Sequence, residues 1–160
     1  MTLLRLSLLA LGVLLGVASS AAQTRPVQLA LFNPVQIFPE SESIAGVRLS
    51  LIYGSNAGVS GLDLGLVNKT GGGGFTGIQW GFVALTEGNV TGLQWNFVGL
   101  AKGNVEGVQI GFYNSASHCS GLQLGFINNT GTMKGLQIGL VNIIDRGGQF
   151  PVFPIVNWSF

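Results

Sequence analysis

Charge is what this sequence has least of. Asp, Glu, Lys and Arg together make up 8% of 160 residues, and the formal net charge is +1. No basic residues cluster, so a nucleic-acid or anionic-surface partner has no electrostatic footprint here. A single cysteine, Cys119, excludes an internal disulfide. No cysteine follows residue 22 in a lipobox-like position, which argues against a lipoprotein anchor. His and Cys nowhere recur at metal-ligand spacing, and Gly71 to Gly74 lacks the Lys and Ser/Thr of a phosphate loop. Neither a metal nor a cofactor is expected. Beyond residue 22 there is also no apolar run long enough for a membrane-spanning helix.

What is present begins with a leader. Arg5, an apolar run from Leu8 to Val17, and the small residues Ser20-Ala21-Ala22 read as a secretory signal peptide over 1–22. Export follows, and the remaining chain of about 138 residues suits one domain. Apolar residues reach 47% and Gly numbers 26. That hydrophobicity excludes disorder, and so few charges would make an unusual soluble surface.

The dominant feature is a repeat. GLDLGLVN starts at Gly61, GIQWGFVA at Gly77, GLQWNFVG at Gly92, GVQIGFYN at Gly107, GLQLGFIN at Gly121 and GLQIGLVN at Gly135. Weaker copies are GVRLSLIY from Gly46 and PVQLALFN from Pro26. The central residues Gln28, Arg48, Asp63, Gln79, Gln94, Gln109, Gln123 and Gln137 are spaced 20, 15, 16, 15, 15, 14 and 14 apart. Side chains alternate strictly within each copy, as a β-strand demands. One face carries large apolar residues such as Leu122, Leu124 and Phe126; the other carries Gly, Gln and Gly, as at Gly107, Gln109 and Gly111. A helical reading fails, because two Gly per copy would cost each helix ~2 kcal/mol.

Short polar loops with a late Gly, such as Thr86 to Asn89, Ala101 to Asn104 and Asn129 to Thr132, have the chemistry of hairpin turns. They predict an all-β, antiparallel up-and-down meander of 14–16-residue repeats. Because two dozen large side chains would overfill a soluble barrel, the meander is expected to close as a small, about eight-stranded outer-membrane β-barrel. Its apolar face would then meet lipid, and its Gly and Gln face would line a narrow lumen. Within it Gln79, Gln94, Gln109, Gln123 and Gln137 would form a bonded series, and the two charged departures, Arg48 and Asp63, would lie opposite one another as a pair. On that reading Leu124→Arg costs ~2–4 kcal/mol while Gln123→Leu is better tolerated. Eight strands are obtained by counting from residue 44, which divides the mature chain into an N-terminal segment, 23–43, and a β-repeat domain, 44–160. The terminal Phe160 resembles a barrel-closing signal, but the repeat phase puts Val156, Trp158 and Phe160 on the Gly face. The alternative is a β-solenoid with one copy per rung, the Leu and Phe face as its core and the Gln residues as an exposed ladder.

The core unit, Gly121-Leu122-Gln123-Leu124-Gly125-Phe126-Ile127-Asn128, resembles the tandem GLQxGxVN units of bacterial exported surface-repeat proteins, over about Gly46 to Asn142. Asn96 replaces the second Gly, and Ala84 and Gly99 replace the Asn. The resemblance implies the outer membrane or cell surface of a Gram-negative bacterium, and it carries over no catalytic residue. His118 beside Cys119 lacks an acid to orient it, and adjacent strand residues point apart, so no enzyme is expected. Asn68, Asn114, Asn128 and Asn142 at the strand ends read as turn caps. Two functions remain: a structural or envelope barrel whose partner is outer-membrane lipid, or a secreted or surface-attached solenoid that binds a partner or self-associates.

Overall fold

The computed structural model describes residues 23–160; the expected signal peptide lies outside the described residues. Five elements follow in order: β1 (Thr24–Phe32), β2 (Val35–Gln36), β3 (Ser43–Thr86), β4 (Val90–Arg146) and β5 (Val152–Ser159). The two long elements are not single straight strands. Each winds through several repeats, so that one copy is one coil of a β-solenoid.

The pairing is parallel, which corrects the expected antiparallel meander and the eight-stranded membrane barrel built on it. Gln28 lies beside Arg48 where β1 meets β3, and Gln79 lies beside Gln94 where β3 meets β4, both in parallel register. The reason is visible at the first Gly of each copy. Gly46, Gly61, Gly77, Gly92, Gly107, Gly121 and Gly135 all take φ between +119° and +146°. Each sits over the carbonyl oxygen of the equivalent residue one coil earlier, so closely that a Cβ would collide with it. These glycines are corners at which the chain bends in the same sense every coil. In a meander, alternate strands would instead have set first Gly against second. The loops read as hairpin tips, including Ala101 to Asn104 and Asn129 to Thr132, are themselves strand and form the far side of each coil. Only at Glu87 to Asn89 does the strand break between β3 and β4.

The solenoid has its polar residues inside, the reverse of the expected solenoid with a Leu and Phe core. Gln79, Gln94, Gln109, Gln123 and Gln137 are buried, as are Asn68, Asn114, Asn128 and Asn142. The apolar core is a separate file two residues before each corner: Ile44, Val59, Phe75, Val90, Val105, Cys119 and Met133. Coils of 14–16 residues enclose little space. Gly at the second glycine position leaves room for the inward Asn, and a Cβ on Gly125 would strike the side-chain amides of Asn114 and Asn128. Phe75 is accommodated in the apolar file, whereas Trp80, Trp95 and the Phe row 82, 97, 112 and 126 stand outside.

Both ends are closed. Segment 23–43 is not set apart from the array, because β1 stacks on β3 as the first coil. Residues 33–42 then fold over its edge: Gln28 Nε2 donates to the Phe38 carbonyl at 2.7 Å, and the Phe38 N–H donates to Gln28 Oε1 at 3.0 Å. The Arg25 side chain, hydrogen-bonded to Glu42, holds that half-buried carboxyl below the ordinary carboxylate range. At the other end β5 runs antiparallel to β4, with Asn157 beside Gln137, Val156 beside Ile138 and Trp158 beside Leu136. This corrects the phase expected for the last segment. Ile155, next to Pro154, takes φ 71°, and the register beyond it sets Val156 and Trp158 on the apolar side with Ile138 and Leu136. Capping of this kind is what a stacked array needs at its termini.

Candidate functional site

Two features run the length of the array: an amide ladder inside and an apolar face outside. In the ladder each Gln Nε2 donates to the coil before it. Gln94 bonds Gln79 at 2.8 Å, Gln109 bonds Gln94 at 2.8 Å, Gln123 bonds Gln109 at 2.7 Å and Gln137 bonds Gln123 at 2.8 Å. The amide dipoles therefore align, with the N–H ends pointing toward the first coils. The last of them, Gln79 Nε2, ends on Asp63 Oδ2 at 2.6 Å. A carboxylate is the favourable terminus for such a row, as an anion is at a helix N-terminus.

Arg48 compensates that carboxylate. Its Nε and Nη2 donate to Asp63 Oδ1 and Oδ2, both at 2.7 Å, and both side chains are fully buried. The remaining guanidinium donors reach the Lys69 carbonyl at 2.7 Å and Thr70 Oγ1 at 3.1 Å. The structure thus brings Arg48, Asp63 and the five Gln residues into one continuous network inside the solenoid rather than in a barrel lumen. A buried ion pair lasts when its geometry is bidentate and its spare donors are satisfied, as here.

The Asn residues are not turn caps. Asn114 Nδ2 donates to Asn128 Oδ1 and Asn128 Nδ2 to Asn142 Oδ1, each at 2.9 Å. This second ladder donates toward later coils, opposite in sense to the Gln row. Asn96 is buried in the coil where Gly99 stands at the Asn position. The signal for the ladder was in the sequence, since Asn recurs at one fixed place in the repeat, seven residues after the corner Gly.

An exchange of expectations follows for Gln123 and Leu124. Gln123→Leu removes the acceptor of Gln137 and the donor to Gln109 inside the solenoid. Stranded buried amide groups cost ~1–3 kcal/mol each, so the variant should lose ~2–4 kcal/mol in urea denaturation. Leu124→Arg, on a position exposed in the single chain, should lose less than ~1 kcal/mol when the protein is diluted to the monomer. The opposite order would return Leu124 to a buried or lipid-covered place.

Outside, three columns of apolar residues stand on one side of the coils. They include Leu62, Ile78 and Leu136 in the first, Leu49, Trp80, Trp95 and Ile138 in the second, and Leu51, Phe82, Phe97, Phe112 and Phe126 in the third. Trp80 and Trp95 are each 55% exposed and Phe97 is 47% exposed. Phe82, Phe97, Phe112 and Phe126 stack in one row, with successive ring centroids 4.9, 5.1 and 4.9 Å apart. Between the second and third columns the small residues Ser50, Gly65 and Gly81 form the floor of a groove. No charged residue occurs in any of the three columns. Lys69 and Lys102 gather around Glu87 at 3.8 and 3.9 Å on the far side of the coils, and exposed Glu106 and Lys134 directly precede the corners Gly107 and Gly135.

His118 and Cys119 do not form a catalytic pair. The His118 ring bonds Thr132 Oγ1 at 2.8 Å, while the Cys119 thiol is buried in the apolar file, where desolvation pushes its pKa up to about 12. Among the described residues, no three His, Cys, Asp or Glu side chains converge as a metal site would need, and no helix is long and apolar enough to cross a membrane. No protein-family model matches the chain, and no curated protein or solved structure shows significant similarity to it.

Proposed function

We propose that this chain is an exported, non-catalytic β-solenoid that acts at the cell surface as a binding or self-association module, through its apolar outer face. One observation carries the reading: a soluble monomer rarely exposes more than a few hundred Å² of contiguous apolar surface, and here such a surface extends over every coil. The Gln amides of the interior are bonded to one another in the ladder and are not presented at the surface. Those ladders serve stability and let the exterior be apolar. The leader and the resemblance to exported surface-repeat proteins support a location at the envelope.

The test is the state of the protein in cells that make it. Gently lysed without detergent, wild-type chain should sediment in an assembly, and Phe97→Asp should release it as a free chain. Ser117→Asp, at an exposed position on the polar side, should leave the assembly intact. Phe97 stacks on both Phe82 and Phe112; breaking the two stacks costs about 2 kcal/mol, so the released variant should keep its β circular dichroism. Wild-type protein found free, with its apolar face uncovered, would overturn the reading.

A further inference from the structure

We infer that the apolar face is covered by a second copy of this chain, packed face to face about a two-fold axis that lies between the faces and passes near Trp95. The inference rests on the reading that this face is where the chain binds.

Area is the first argument. Eight coils and β5 set nine strands side by side, and strand spacing near 4.8 Å makes the face ~38 Å long. Three alternating columns and their side chains are ~17 Å wide, so each copy offers on the order of 700 Å². Two such faces bury ~1,400 Å² together, which lies within the range of stable interfaces. The groove floored by Gly65 and Gly81 receives side chains from an opposing sheet at the ~10 Å separation of packed sheets.

The closed ends are the second. Open β-arrays associate by adding strands at their edges, and here Pro151 and Pro154 interrupt the donors at β5 while residues 33–42 cover β1. Lateral contact is what remains. A two-fold contact uses the same patch on both copies and therefore closes at two, whereas a head-to-tail contact would continue as a fibre.

Lipid fits the face less well than a second copy does. Trp80 and Trp95 occupy the central column, not the rim where aromatic residues meet head groups. Lys69 and Lys102 are on the far side around Glu87, and Arg25 is paired with Glu42. That leaves Lys134 and Arg146 as the exposed basic residues in no ion pair among the described residues, fewer than binding to an anionic surface uses. An uncharged, grooved face with its largest rings at the centre has the anatomy of an interface core.

Trp95 stands in the middle column and the middle strand, so it meets its own copy whether the two-fold runs along the strands or along the solenoid. The test uses purified chain 23–160 in detergent-free buffer. Sedimentation at about 50 µM should give a dimer, and Phe97→Arg should weaken association by about 100-fold. Trp95→Cys should form a disulfide-linked dimer in air, and Ser117→Cys on the polar side should not. Buried Cys119 stays out of this reaction, its thiol protonated at working pH. Circular dichroism of each variant separates lost pairing from lost fold, and the Trp95→Cys linkage tests the geometry without depending on Phe97. A wild-type monomer at that concentration overturns the inference. If that monomer binds phosphatidylcholine vesicles through the face, the occupant is lipid and only the proposed function survives. Polymers larger than a dimer overturn the closed two-fold.

Discussion

Asp63→Gln lowers stability by about 3–5 kcal/mol, although it restores the residue found in most other coils. The substitution removes the carboxylate that holds Arg48 through two hydrogen bonds of 2.7 Å. The guanidinium is then left fully buried with only the Lys69 carbonyl and Thr70 hydroxyl as partners. An amide oxygen in place of the carboxylate still accepts from Gln79, so the ladder persists and the loss is that of an uncompensated charge. Changing Arg48 and Asp63 together to Gln should recover most of the loss, because the amide row would simply extend by two members. Urea denaturation of the wild type, the two single variants and the double variant gives the coupling energy directly. A coupling near zero would mean that this end of the solenoid admits water, where an ion pair contributes ~1 kcal/mol or less.

Much of this architecture is legible in the sequence. The recurrence of Gly, Gln and Gly against Leu, Leu and Phe defines strands, their period and two faces of opposite character. The pairing of neighbouring departures, Arg48 in one copy and Asp63 in the next, identifies coils that touch. What the pattern does not settle is direction. Each strand is nearly palindromic about its Gln, so parallel and antiparallel neighbours both set Gln on Gln. The deciding residues were in the supposed turns. Val90, Val105, Cys119 and Met133 recur two positions before each corner, and Thr86, Ala101, Ala116 and Thr130 nine after it; all are buried. Solvent-exposed hairpin tips have no need of such columns, whereas the far wall of a coil does.

The inside-out core was harder to read, because apolar burial is the ordinary driving force of folding. Here it is limited by space. With Asn at one inward position and Gly at another, the wall behind the apolar face admits amides but not rings, and the ring of Phe75 lies in the separate apolar file. Amides stacked at strand spacing bond one another along the row. The sequence rule that apolar residues point inward therefore fails along one side of this chain, and such failures are expected where function is located. The exposed Trp95 and the Phe row are then the part of the molecule that folding does not explain.

The corner glycines carry the other large effect. Gly107→Ala should cost at least ~3 kcal/mol and can prevent folding, since φ there is +133° and a Cβ would be driven into the Gly92 carbonyl oxygen. Neither contribution can relax alone: moving the backbone of this coil away from the one before it also separates Gln109 from Gln94 at the ladder. Gly72→Ala is the matched control. A Cβ at Gly72 meets nothing within 4 Å, and replacing a Gly in an ordinary conformation raises stability by ~0.5 kcal/mol by restricting the unfolded chain. Urea midpoints of the two variants should therefore move in opposite directions. Should Gly107→Ala prove as stable as Gly72→Ala, the corner would not hold its positive φ, and coils stacked Gly upon Gly in one direction could not be the fold.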